Sequence, residues 1–171
     1  AAMPSILCIV RNDSSGAVDN GSGVATVLLA ARQVPRDRAL GVLLTSAEEL
    51  GLAGARAWAE TAPAERVLVN CDTVDDSGVW LCMHTGSRPE LSTRAATMAR
   101  GLGLKLRTRR LIPGILADSI AFSDRGLEAV TISRGSLSTL ARIHTRRDNT
   151  TALTGSGIAD AAALLAALTM E

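Results

Sequence analysis

The chain has 171 residues, a net charge of +1 from 18 Lys+Arg against 17 Asp+Glu, 47% hydrophobic residues and only 2% aromatics. That length fits one domain spanning residues 1–171, with a core drawn from Ala, Leu, Val and Ile. Scattered basic residues with almost no aromatic stacking partners argue against nucleic-acid binding, and no window reaches the roughly 18 apolar residues of a membrane span.

In chain order, Ser5–Val10 reads as a buried strand. Gly23–Val34 carries Val24, Val27, Leu28 and Ala31 at helical spacing and ends at Pro35. Ala39–Thr45 is an apolar run of strand length, and Leu52–Glu60 is helical up to Pro63. Arg66–Cys71 and Val79–Met83 read as strands joined by Asp75-Asp76-Ser77-Gly78, which is turn chemistry and predicts one antiparallel pairing. Pro89–Gly101 is a helix with proline near its start and glycine at its stop. Leu104–Thr108 alternates as a strand; Asp118–Arg125 is a short helix closed by Gly126. Glu128–Ile132 is the last strand and Ser156–Leu168 the last helix. Strands interleaved with helices predict a mostly parallel sheet covered on both faces, an α/β fold.

Cys8, Cys71 and Cys82 lie in apolar runs, an odd count without regular spacing, so they read as small core hydrophobes and not as a disulfide framework. The opening residues show no charged region followed by an apolar stretch, so no signal peptide is predicted. Arg107, Arg109 and Arg110 are the densest basic cluster and read as a solvated strand end. Trp58 and Trp80 read as packing residues, and Arg134 as part of a surface loop. No Gly-x-Ser-x-Gly elbow is present, and Gly21-Ser22-Gly23 lacks the spacing of a phosphate loop. Ser22 reads as a cap for the following helix.

Four segments carry carboxylates or a histidine just after apolar runs: Gly16 to Val24, Ser46 to Gly54, Val69 to Asp72, and Ile143 to Asp148. Strand ends are where open α/β sheets build their sites. Carboxylate oxygens and imidazole nitrogens are ordinary zinc ligands. Two zinc ions about 3.5–4 Å apart need a bridging carboxylate. Asp19 suits the bridge, and Glu49, Asp72 and His144 suit terminal places. Glu48, adjacent to Glu49, is free to take a proton from an attacking water. Gly16, Gly21 and Gly23 let backbone approach the site closely.

The order of these segments resembles the two-zinc exopeptidases, a family that includes bacterial leucine-type aminopeptidases, glutamate carboxypeptidase and glutaminyl cyclases. The shared pieces are Gly-Ala-x-Asp-Asn-x-Ser-Gly-Val at Gly16, Glu-Glu-x-Gly-Leu-x-Gly at Glu48, Asn-x-Asp at Asn70, and His-Thr-x-x-Asp at His144. Asp118-Ser119-Ile120-Ala121-Phe122 is similar to the family's Asp-Ser-x-x-Phe. The resemblance implies a three-layer αβα sandwich with a mostly parallel mixed sheet, and metal-dependent removal of a terminal residue from a peptide or amino-acid conjugate. It makes Asp19 the bridging ligand, Glu48 the general base, Glu49 and His144 ligands of one zinc, and Asp72 a ligand of the other.

One position departs from the pattern. The family's His-x-Asp falls at Arg11-Asn12-Asp13, so arginine stands where a ligand histidine is expected. Arginine has no lone pair to give a metal. Arg11 is therefore expected to sit among Asp13, Asp19 and Asp72 as a fixed charge replacing one ion. One zinc on Asp19, Glu49 and His144 is then expected instead of two, with a catalytically inactive binding or structural domain as the alternative. His84 reads as a loop histidine at a strand end.

Overall fold

The computed structural model describes residues 13–86 and 90–170. Four strands form one sheet: β1 (Val67–Val74), β2 (Val79–His84), β3 (Leu106–Arg110) and β4 (Glu128–Gly135). Their order across the sheet is β1-β4-β2-β3. β1 runs parallel to β4, β3 runs parallel to β2, and β2 is antiparallel to β4. The single antiparallel pairing expected from the turn is present, but between different strands. The turn at Asp75–Gly78 does not make a hairpin, because β4 inserts between β1 and β2. Gly78 is needed there: its φ is 102°, and a Cβ on it would meet the Gly135 carbonyl at 2.1 Å.

The helices are α1 (Ser22–Gln33), α2 (Ala53–Ala59), α3 (Glu90–Gly101), α4 (Ser119–Ser123), α5 (Leu137–Leu140) and α6 (Ser156–Thr169). On one side of the sheet, Ala30 of α1, Leu91 and Ala95 of α3, and Ala161 and Leu164 of α6 pack on Trp80, Cys82, Val130 and Ile132. On the other side, Ala55 of α2 and Ala121 and Phe122 of α4 pack on Ala129. Trp58 meets Phe122 edge-on at 5.6 Å in that second core. Strand β4 is buried on both faces over Ala129–Ile132, as the middle layer of a sandwich must be. Small alanines on the helices let them approach closely, which is how a chain with so few aromatics fills its interior. Cys71 and Cys82 are free and buried in the first core. No helix among the described residues is long and apolar enough to cross a membrane.

Several sequence expectations change. The Ser5–Val10 strand lies outside the described residues. Ala39–Thr45 is expected as a strand; residues 39–47 have no ladder partner among the described residues. Leu40, Val42 and Leu43 are partly exposed and share a cavity of about 180 Å³ with Val67 and Val69 of β1. β1 runs three residues further than expected, to Val74, through a register shift between Cys71 and Val74. The third strand begins and ends two residues later than read.

Candidate active site

The Asp19 segment is one wide turn, Ala17–Gly21, closed by the Gly21 N–H on the Gly16 carbonyl at 2.7 Å. It is held from three directions. The buried Asp148 carboxylate accepts the N–H of Val18 at 2.7 Å and of Asp19 at 3.2 Å. Asn20 donates through Nδ2 to the Cys71 carbonyl at 2.9 Å and accepts from Gly23 N at 3.0 Å and Thr73 N at 3.3 Å. Ser22 Oγ donates to the Val18 carbonyl at 2.6 Å and accepts from Val74 N at 2.9 Å. Ser22 is thus a rivet between the turn and β1, and not the cap expected for the helix it begins. Gly23 serves the same approach, since a Cβ there would meet the Cys71 carbonyl at 2.3 Å.

Asp72 sits in the irregular part of β1, followed by Thr73 in left-handed conformation (φ 55°). A bulge of this kind re-aims side chains at a strand end, and here it places Asp72 and Thr73 in the groove that holds Asp19 and Glu48. Glu48 and Glu49 begin a short 3₁₀ turn, Glu48–Leu50, entered through Ala47 at φ 57° and left through Gly51 at φ 78°.

His144 is carried by a loop pinned at both ends. Upstream, the buried Asp75 accepts from Arg142 at 2.7 Å and from Thr139 Oγ at 2.6 Å. Downstream, Asp148 reaches back to the Asp19 turn. His144 adopts φ 60°, an unusual conformation for a side-chain-bearing residue. Its Nε2 lies 2.8 Å from Asp19 Oδ2 and 2.8 Å from Glu49 Oε1.

One ring nitrogen facing two carboxylate oxygens at equal distance can direct a proton at only one of them. One donor atom each from Asp19, Glu49 and His144 lie within 4.8 Å of one another. Nitrogen plus two carboxylate oxygens is a zinc-type donor set, so the residues present fit a metal. Glu48 and Asp72 are not in this group of three. Burial pushes Glu48 up to about 7, with Glu49, Asp118 and Asp19 adding like charge. Burial likewise lifts Asp72 to about 7, with Asp19 and Glu48 adding to it. Asp19 is raised by burial against the lowering effect of His144. Asp118 is raised by burial while Thr45 donates to it, and its Oδ1 has no partner among the described residues. The site is therefore short of positive charge among the described residues.

The remaining sequence candidates separate. Asp13 pairs with Arg146 at 3.1 Å and is not in the group of three. Arg11 lies outside the described residues. His84 ends β2, with Nδ1 against the Gly86 carbonyl at 3.0 Å, and is likewise not in the group. Arg134 is no loop residue: it is on β4, 4.9 Å over the Trp80 ring and 3.7 Å from Asp160. The anchoring roles of Asp148, Asn20 and the Asp75–Arg142 pair were not foreseen. Asp148 was visible as the last letter of the His-Thr-x-x-Asp segment, but nothing in that segment says its carboxylate binds backbone 130 residues away.

Solved structures share this architecture. A zinc aminopeptidase from Bacillus subtilis, BSAP, superposes with a TM-score of 0.77 at 24% identity, over 91% of this chain and 42% of its own. An aminopeptidase from Aneurinibacillus sp. strain AM-1 gives 0.77 at 21%, over 92% of this chain and 40% of its own. The Legionella pneumophila aminopeptidase LapA gives 0.79 at 19%, over 94% and 47%. The chain thus spans less than half the length of each of these three. At such identities the likeness speaks for the fold. A comparison with curated proteins returned no match. The sequence model of peptidase family M28 matches residues 5–169, from the opening segment through the last helix and across all four carboxylate and histidine segments. The chain belongs to peptidase family M28.

Proposed function

We propose that the chain is a metal-dependent exopeptidase of aminopeptidase type, holding one zinc ion through Asp19, Glu49 and His144. The observation that carries this is the convergence of two carboxylate oxygens on His144 Nε2, each at 2.8 Å, in a groove that Glu48 also lines. A zinc ion held there supplies Lewis-acid polarisation of a peptide carbonyl. Glu48 accepts a proton from the attacking water as oxygen bonds to the carbonyl carbon, and returns it to the departing amine nitrogen as the C–N bond breaks. Glu48 stands outside the three metal-type donors, which leaves its carboxylate free for the water's proton. Asp148 and Asn20 hold the Asp19 turn still. Asp72 is the ligand a second ion would need. Arg11 in place of histidine leaves that second place short of a donor.

The test has two parts. Protein purified without chelator is expected to carry at most one tightly held zinc per chain, with Arg11→His allowing a second. Two ions at full occupancy in the parent would overturn the one-ion reading. Glu48→Gln is expected to lower turnover about 10²–10⁴-fold with metal binding nearly unchanged; unaltered turnover removes Glu48 from the mechanism. The Arg11 substitution also favours a second reading, a peptidase-like domain that binds without catalysis. Absence of turnover over a panel of aminoacyl and dipeptide substrates, with zinc or cobalt added, would move that reading to first place.

A further inference from the structure

The sheet register places two exposed arginines of the outer strand β3 along the groove that contains the site. β2 pairs Leu81 with Arg107 and Met83 with Arg109, and β4 pairs Ser133 with Leu81. Partners in a ladder point to the same face of a sheet. Leu81, Met83, Ser133, Arg107 and Arg109 all line one groove of about 1420 Å³, together with Asp19, Glu48, Asp72 and His144. The alternate residues Trp80 and Cys82 face the opposite side, in the core beneath α3 and α6. Arg107 and Arg109 therefore sit on the same face as the peptidase-like site, at the outer strand of the sheet.

Among the described residues these arginines have no carboxylate partner. Among the described residues, Arg56, Arg125, Arg134, Arg142 and Arg146 each pair with a carboxylate. No such pair involves Arg107 or Arg109 among those residues; Arg109 Nε only touches the Arg110 carbonyl, at 3.3 Å. A guanidinium fork is the side chain best matched to a carboxylate. Asp72 is on β1 and the arginines are on β3, the two outer strands of the order β1-β4-β2-β3, so the groove is acidic toward Asp19, Glu48 and Asp72 and basic toward Arg107 and Arg109, with Arg110 beside them. A peptide has the complementary order: an ammonium at its start, and carboxylates only further along.

We propose that Arg107 and Arg109 form a carboxylate-binding lip that selects peptides carrying negative charge beyond the first residue. Placing the first residue at Asp19 and Glu48 rests on the aminopeptidase reading, in which everything past the scissile bond is the longer part and must lie along the groove. The carboxylate comes either from an Asp or Glu side chain or from the free C-terminus of a short peptide; both present the same planar pair of oxygens.

Binding to chelator-treated protein separates this from turnover. Three peptides are titrated by NMR: Leu-Gly-Glu-Glu amide, Leu-Gly-Gln-Gln amide, and Leu-Gly-Gln-Gln with a free carboxyl terminus. One or both carboxylate-bearing peptides are expected to bind about 5- to 10-fold tighter than the neutral amide, as two exposed ion pairs allow. Which of the two gains affinity identifies the source of the carboxylate. The advantage should shrink as salt rises from about 0.05 to 0.5 M. Arg107→Ala/Arg109→Ala should reduce it to within about twofold, with the neutral peptide unaffected. Equal affinity for all three peptides, or a preference that survives the double substitution, overturns the proposal. A preference that vanishes with the arginines in a chain that never turns over any substrate would sustain the lip while sinking the peptidase reading.

Discussion

Asp148 shows how a single side chain far from the reacting atoms fixes the site. It is fully buried, and its two oxygens take the N–H groups of Val18 and Asp19. It therefore ties the turn that offers one metal-type donor to the loop that offers another. Removing it leaves two backbone donors unpaired in the interior, and each orphaned group costs about 1–3 kcal/mol. Asp148→Ala is expected to lower unfolding free energy by roughly that amount or more in chemical denaturation. Zinc affinity should fall about 10–100-fold, as for other outer-shell supports. Asp148→Asn keeps one acceptor oxygen and should lie between. Unchanged zinc affinity in Asp148→Ala would mean that the Asp19 turn holds its shape alone.

The last helix owes its start to an acid on a distant turn. Asp76 accepts from the N–H groups of Thr154, Gly155 and Gly157 and from the hydroxyls of Thr154 and Ser156. Partial burial works against its charge, but these donors outweigh it and hold the carboxyl below the usual range. Its stabilising effect is therefore present above the unfolded value of 3.8 and lost as pH falls below it. Asp76→Ala should cost about 1–2 kcal/mol, in the range of lost helix caps, with most of the deficit vanishing in strongly acid solution. The sequence showed Asp75-Asp76-Ser77-Gly78 as a turn, which it is; that one acid there would cap a helix 80 residues on is a tertiary fact no local pattern holds. Residues 39–45 teach the converse. Their apolar run has the length and composition of a strand, but a strand is defined by its ladder partner as well as by its residues, and among the described residues they have none. The helices were more legible because their hydrogen bonds are internal, and their boundaries came out within a residue or two wherever Pro or Gly punctuated them.

At the scale of the whole molecule, the carboxylates of the four motif segments are gathered into one negative cluster. Its members were legible as letters because each motif is short and contiguous. Their convergence was not, because it depends on the β1 register shift and on two loops pinned by Asp75 and Asp148. The cluster has a thermodynamic signature. Asp72 and Glu48 are raised to about 7 from 3.8 and 4.5, chiefly by burial. The folded state thus holds their protons more tightly than the unfolded chain does. The stability this confers is complete below about pH 4 and is lost as pH rises through about 7. Chelator-treated protein is expected to melt at progressively lower temperature between pH 5 and 8. Zinc should raise the melting temperature more at pH 8 than at pH 5, because a cation among these carboxylates favours the charged forms of Glu48 and Asp72. Melting temperatures flat across this range, with and without zinc, would show the cluster to be better compensated than its geometry indicates.

The two thiols buried among the described residues, Cys71 and Cys82, give the protein a built-in clock. Burial pushes Cys82 up to about 12 and Cys71 higher still, with Asp72 adding to the effect at Cys71. The thiolate is the reactive form, so an alkylating reagent can label either residue only when the surrounding sheet opens. Labelling rates read by peptide mass spectrometry thus report the opening free energy of β1 and β2 separately. Cys71 offers its carbonyl to Asn20, beside the turn that carries Asp19. An ion bound by Asp19, Glu49 and His144 should therefore retard alkylation at Cys71 more than at Cys82, turning an inert side chain into a gauge of how firmly the site is closed.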